Sequence, residues 1–146
     1  METQENLLED YKRFFEETPV ALIRTDIKTG EFLMANAFAA HMFGFESVEE
    51  LKENLRTKDL YPNEGDRKKL ISTIKKKGFV ESYEIEFKLP TKTIYVSARL
   101  RINCGGSCIE GSLIDITELV KLRDNQLCAL KEMGQKIDKK IAALVP

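Results

Sequence analysis

The chain has 146 residues, 42% of them hydrophobic and 32% charged, enough to bury one core without disulfides or a structural metal. Its 23 basic and 24 acidic residues nearly cancel, so no global field draws it onto nucleic acid or an anionic membrane. The acidic, polar stretch from Met1 to Asp10 lacks the basic start and apolar run of a signal peptide, and no apolar run reaches membrane-spanning length, so the expected location is the cytoplasm.

In chain order, Leu7, Leu8, Tyr11, Phe14 and Phe15 recur at helical spacing, which predicts an amphipathic helix from about Glu5 to Glu17, ended by Pro19. Val20 to Ile27 reads as a strand, Lys28-Thr29-Gly30 as a tight turn and Glu31 to Ala35 as the returning strand of a hairpin. Asn36 caps a short helix carrying Ala39, Met42 and Phe43 on one face, and Gly44 stands where the helix ends. Ser47-Val48-Glu49-Glu50 has the form of a capping box that opens a second short helix.

After a loop at Leu60 to Asn63, Leu70, Ile71 and Ile74 form the stripe of a longer helix running from Asp66 to Gly78, with Lys75, Lys76 and Lys77 in its last turn, where cations suit the helix dipole. Phe79, Tyr83, Ile85 and Phe87, and then Ile94, Val96, Ala98, Leu100 and Ile102, alternate with polar residues and predict two half-buried strands. Pro90 to Lys92 connects them, Gly105-Gly106 makes the next turn, and Cys108 to Ile114 completes an antiparallel meander. From Thr117 to about Leu144 the sequence reads as one long polar helix. Val120, Leu127, Gly134 and Ile141 share one heptad position, and Arg123, Leu130, Ile137 and Leu144 another, the pattern of a short, imperfect coiled coil.

Several of these residues match a known pattern in order. Pro19-Val20 leading a strand, Thr25-Asp26 before the Gly30 turn, Asn36 with Ala37 and Ala39, Phe43-Gly44-Phe45 and Val48-Glu49-Glu50-Leu51 resemble the first half of bacterial PAS domains. Asp66-Arg67, Gly78 and the run Gly111-Ser112-Leu113-Ile114-Asp115-Ile116-Thr117-Glu118 resemble the second half, the Asp-Ile-Thr sequence being the most specific. The loop at Tyr61 to Gly65 is slightly longer than usual, and Pro90-Thr91-Lys92 lacks the common Asp-Gly turn.

The resemblance implies an α+β fold: a five-stranded antiparallel sheet in the order 2-1-5-4-3, helices over one face, and often a ligand between the two layers. It divides the chain into an N-terminal amphipathic helix (1–17), a sensor domain (18–117) and a C-terminal signalling helix (118–146). It also implies a non-catalytic sensory and dimerisation module. The candidate pocket wall, chosen from strand parity and family position, is Ala21, Ile23, Leu33, Met42, Phe43, Ile74, Tyr83, Val96, Ala98, Gly111 and Leu113, with Thr25, Asn36 and Tyr83 as polar anchors. A second reading stays open beside it, in which bulky side chains fill this space and the module serves dimerisation or partner binding without a ligand.

The chemistry of individual residues narrows the cofactors. Photoreceptors of the flavin-binding class need a reactive cysteine in an Asn-Cys-Arg-Phe-Leu-Gln motif ahead of the long helix, where this chain has no cysteine, and Leu113 replaces the flavin-contacting glutamine. Haem-binding relatives mostly take their iron ligand from a histidine on the long helix, whereas the sole histidine here, His41, lies on a short one. Flavin and haem are therefore disfavoured, and the ligand is unknown. Three cysteines, Cys104, Cys108 and Cys128, predict reduced thiols rather than a disulfide framework; Cys104 and Cys108 flank a turn but supply only half a metal site. No Walker sequence, dinucleotide loop or nucleophile elbow occurs.

A homodimer is expected through the N-terminal helix or the exit helix. Asp115, Ile116 and Thr117 are the expected junction for signal transfer, because aspartate or threonine can cap the first turn of the exit helix. In relatives such a helix leads to a histidine kinase, a diguanylate cyclase or a transcription regulator. Here the sequence ends at Pro146, so the effector is either a missing downstream domain or a separate partner.

Overall fold

The computed structural model describes residues 3–144; the outer ends of the first and last predicted segments, Met1, Glu2, Val145 and Pro146, lie outside the described residues. The chain divides into two units, Met1–Asp115 and Ile116–Pro146.

The first unit opens with α1 (Gln4–Glu17), whose first turn is capped by the Thr3 side chain accepting from the Asn6 amide at 3.2 Å. The hairpin β1 (Ala21–Asp26) and β2 (Phe32–Ala35) follows. Its turn is held by Asp26, whose Oδ1 accepts from the amides of Lys28 and Thr29 at 2.9 and 2.8 Å and whose pKa is thereby lowered, the Thr29 amide contributing most.

Next come α2 (Ala37–Met42) and α3 (Val48–Asn54). The Ser47 hydroxyl accepts from the Glu50 amide at 3.1 Å, and the Glu50 carboxylate returns to the Glu46 amide at 3.2 Å, one residue earlier than a standard capping box. After a 3₁₀ turn at Thr57–Asp59, α4 (Glu64–Lys77) begins two residues earlier than its predicted start and ends at Gly78 in a left-handed conformation. The meander is β3 (Phe79–Lys88), β4 (Thr93–Asn103) and β5 (Cys108–Asp115).

The strands form one five-stranded antiparallel sheet in the order β2-β1-β5-β4-β3, as the resemblance implied. Alternation along the strands sorts side chains to two faces. Ala21 and Ile23 of β1, Ile85 and Phe87 of β3, Val96 and Ala98 of β4 and Leu113 of β5 enter one hydrophobic core with Leu51, Leu70 and Ile74 of the helices. Phe43 links this core through aromatic contacts to Phe32 and Phe87, with ring centroids 5.5 and 5.9 Å apart, and Tyr61 stacks edge-on against Phe87 at 5.5 Å.

Two expectations are corrected. Phe32, not Leu33, takes the inward position on β2, and Leu33 is exposed. The register shifts between Arg24 and Thr25, so that Thr25 faces Phe32 while Arg24 faces Met34; Leu33 is the extra residue of a bulge, which simple alternation could not foresee. Second, Cys104 and Cys108 form a disulfide, and only Cys128 is a free thiol. The turn between them places three consecutive residues, Cys104, Gly105 and Gly106, in left-handed backbone conformations, which folds the two cysteine Cα atoms to 5.5 Å, within reach of a bridge.

The second unit contains α5 (Thr117–Leu144). Of the apolar positions of the predicted heptads, Leu127, Leu130, Ile137, Ile141 and Leu144 are exposed and Val120 is buried; Leu119, Leu122 and Met133, outside that pattern, are also exposed. No helix among the described residues is long and apolar enough to cross a membrane.

Candidate functional site

The layer between helices and sheet is where the sequence places a ligand pocket. A void of about 30 Å³ lies there, bordered by Ile23, Thr25, Thr57, Tyr61, Arg67, Leu70, Phe87, Leu100 and Leu113 among others. That is room for about one or two waters, against roughly 300–1,000 Å³ for a metabolite site. Of the candidate wall, Ile23, Thr25 and Leu113 border the void. Ala21, Phe43, Ile74, Val96 and Ala98 are buried in side-chain packing, as is Met42 at the edge of the core. Tyr83 is half-buried and lines a separate cleft with Tyr61, Asp66 and Lys69. The residues present do not fit a flavin: Leu113 offers no hydrogen bond, and the aromatic cluster of Phe32, Phe43 and Phe87 occupies the interior.

Three polar groups along this layer show how the packing is fixed. Asn36 is completely buried, and its Oδ1 accepts from the amides of Leu22 and Ala39 at 3.1 and 3.0 Å while its Nδ2 reaches the carbonyls of Val20 and Phe15 at 2.8 and 3.1 Å. It therefore ties α1, β1 and α2 together as a structural node. Arg67 in the first turn of α4 reaches back to the Ile27 carbonyl at 2.8 Å, a tertiary contact with no signal in the sequence. Burial pushes the Tyr61 phenol up to about 12, partly opposed by Arg67, so it stays neutral.

The opposite face of the sheet is open. A groove of about 700 Å³ runs over it, lined by Phe15, Leu22, Arg24, Met34, Phe79, Glu81, Arg99, Arg101, Glu110 and Ser112. Phe79 is 52% and Met34 40% exposed, and α1 presents Tyr11 and Phe14 at 65% and 73% exposure, values that leave these apolar side chains without a covering layer. Charges of both signs stand among them. Glu110 accepts from Arg24 at 2.8 Å, from Arg101 at 2.8 and 3.0 Å and from Asn103 at 2.8 Å, and Glu81 accepts from Arg99 at 2.7 Å. Alternation placed Arg99 and Arg101 on the polar side of β4 but counted Phe79 with the apolar set of β3; the register shift between Val80 and Tyr83 leaves Phe79 on the outer face.

Gly111 belongs to this arrangement for a different reason from the one expected. It pairs with Leu100 across β4 and β5, and a Cβ there would collide with the Arg99 carbonyl oxygen and approach Leu100 Cα to 3.0 Å. It permits close backbone approach of the two strands at the floor of the groove. Asp115 closes β5, and Thr117 opens α5 after Ile116, whose carbonyl accepts from the Val120 amide at 2.9 Å. Among the described residues no group of three or more His, Cys, Asp or Glu could hold a metal ion.

The sheet order and the helices packed on the sheet make this a PAS-like fold. A PAS domain family model matches residues 9–75 of the chain. Solved structures with this fold include an RNA-binding Light-Oxygen-Voltage receptor, 20% identical, covering 89% of this chain and 38% of that one with a TM-score of 0.67. A domain of the sensory box sensor histidine kinase/response regulator from Geobacter sulfurreducens is 15% identical, covering 78% and 98% with a TM-score of 0.55. The PAS domain of the HTR-like protein from Haloarcula marismortui is 16% identical, covering 77% and 93% with a TM-score of 0.56. This chain thus spans well under half of the light-oxygen-voltage receptor and nearly all of the other two. No curated protein matches the sequence.

Proposed function

We propose that this chain is a dimerising signal-relay module, in which a second copy docks on the outer face of the sheet and on α1, and that it works without a metabolite in its interior. The observation that carries the reading is the contrast between the void of about 30 Å³ on the helix-covered side and the groove of about 700 Å³ on the open side. A face bearing Phe79, Met34 and the apolar stripe of α1 exposes more hydrophobic surface than a monomer of this size usually leaves uncovered. The arginines and glutamates of the same face are paired with one another within the chain, so little uncompensated charge opposes the approach of a second copy.

In this reading the signal leaves through Asp115, Ile116 and Thr117 into α5, whose exposed Leu127, Leu130 and Ile137 form a second contact between copies. The effector it addresses is a histidine kinase, a diguanylate cyclase or a transcription regulator, and the module itself performs no catalysis.

Light scattering over a range of concentrations tests the proposal. A dimer is expected for the parent chain and a monomer with an unchanged circular-dichroism spectrum for the double variant Met34→Glu, Phe79→Glu. Leu130→Glu with Ile137→Glu reports the share of α5. A parent chain that stays monomeric at every concentration refutes dimerisation, and a metabolite retained stoichiometrically through native mass spectrometry refutes the ligand-free interior.

A further inference from the structure

The disulfide between Cys104 and Cys108 does little for the fold, and that observation opens a different role. It closes a loop with a sequence separation of 4, the size at which a bridge constrains the unfolded chain least. The turn is already held without it: the Ser107 amide and hydroxyl donate to the Cys104 carbonyl at 3.3 and 2.8 Å, and the Ile27 amide donates to the Ser107 carbonyl at 3.0 Å. The first ladder pair of β5, Cys108 with Asn103, closes the same turn, and the core below it is complete.

The two sulfurs are also unlike. Cys108 is fully buried at the start of the central strand β5, whereas Cys104 is exposed on the turn. Cys104 is moreover a non-glycine residue held at a φ of 57°, a conformation that disfavours a residue with a Cβ and that its bond to Cys108 helps to impose.

We propose that Cys104 and Cys108 form a reversible dithiol–disulfide modification site whose co-reactant is a low-molecular-weight disulfide of the glutathione class. In oxidation the exposed Cys104 thiolate attacks glutathione disulfide, forming a mixed disulfide on Cys104 and releasing one glutathione. The Cys108 thiolate then attacks the Cys104 sulfur, the protein disulfide forms, and a second glutathione leaves. Two protein thiols lose two electrons and two protons, and one glutathione disulfide gains them as two molecules of glutathione. Reduction runs the same steps backwards, entering at Cys104, the exposed residue of the pair, with Cys108 as the leaving thiolate.

The test uses the full chain carrying Cys128→Ser, so that the remaining thiols are this pair. The protein is equilibrated with mixtures of reduced and oxidised glutathione, acid-quenched, alkylated and weighed by mass spectrometry, with circular dichroism on each sample. The expected result is full interconversion between the dithiol and the disulfide across the series, reversible on returning to the starting mixture, with the native spectrum throughout. In the same background Cys108→Ala is expected to accumulate one glutathionyl group on Cys104, and Cys104→Ser to leave Cys108 unmodified. A pair that stays reduced in excess glutathione disulfide, or stays bridged in excess reduced glutathione, overturns the proposal. So does unfolding on reduction, which would make the bridge a staple, or equal glutathionylation of the two single-cysteine variants.

Discussion

Arg24 on β1 stands directly opposite Glu110 on β5, and its Nε donates to Glu110 Oε2 at 2.8 Å. Burial of the Glu110 carboxylate by itself raises its pKa, but the hydrogen bonds from Arg101, Arg24 and Asn103 outweigh it, so the group titrates below its ordinary 4.5. A carboxylate depressed in the folded state gives stability that is complete above the unfolded-state value and is lost as pH falls towards the folded one. Urea denaturation is therefore expected to show stability falling as pH drops below 4.5, with a shallower fall in Glu110→Gln. At neutral pH that variant is expected to lose about 1–2 kcal/mol, the arginines being partly solvated. Identical pH slopes for parent and variant would show that the carboxylate contributes nothing through its ionisation.

Asn36 satisfies amides and carbonyls of three elements from one buried side chain. Asn36→Ala leaves the Leu22 and Ala39 amides without their acceptor, at an expected cost of about 2–3 kcal/mol. Asn36→Asp keeps the acceptors but turns a carboxylate towards the Val20 and Phe15 carbonyls, and is expected to be no better. Equilibrium denaturation that finds Asn36→Asp as stable as the parent would remove the assigned role of the amide donors.

Phe87 lies between Phe43 and Tyr61 and borders the small interior void. Phe87→Ala is expected to cost about 3–5 kcal/mol through lost burial and an enlarged cavity. A small apolar ligand such as benzene is expected to raise the melting temperature of this variant and leave the parent unaffected, because only the variant has room for it. A comparable rise in the parent would mean that its interior already accommodates a ligand.

Gly111→Ala places a methyl group against the Arg99 carbonyl in the middle of the β4–β5 ladder. The strands must separate or bend, and the expected cost is about 3 kcal/mol or more, with faster amide exchange along β5. Retention of parental stability would show that the ladder yields at no cost, contrary to the close contact.

What the sequence determined by itself is what local chemistry and periodicity encode. Alternation placed β3 and β4, the Gly105-Gly106 turn set off β5, the helical stripes placed α1, α4 and α5, and the side chains of Asn36 and Ser47 marked helix starts that the structure reproduces. The order of the strands came from resemblance, because five alternating segments do not state which neighbours pair. Tertiary structure alone decided the rest. Leu33 exchanged roles with Phe32 because a bulge shifted the register, and Arg67, on the same helix stripe as Leu70 and Ile74, bonds the Ile27 carbonyl forty residues away in sequence. Cys104 reached Cys108 because three successive left-handed residues closed the turn. The site was the least legible part: whether the interior is a pocket or packed side chains depends on the volumes of Phe32, Phe43 and Phe87 summed across elements distant in sequence. No local pattern carries that sum, since packing density is a property of the assembled layers.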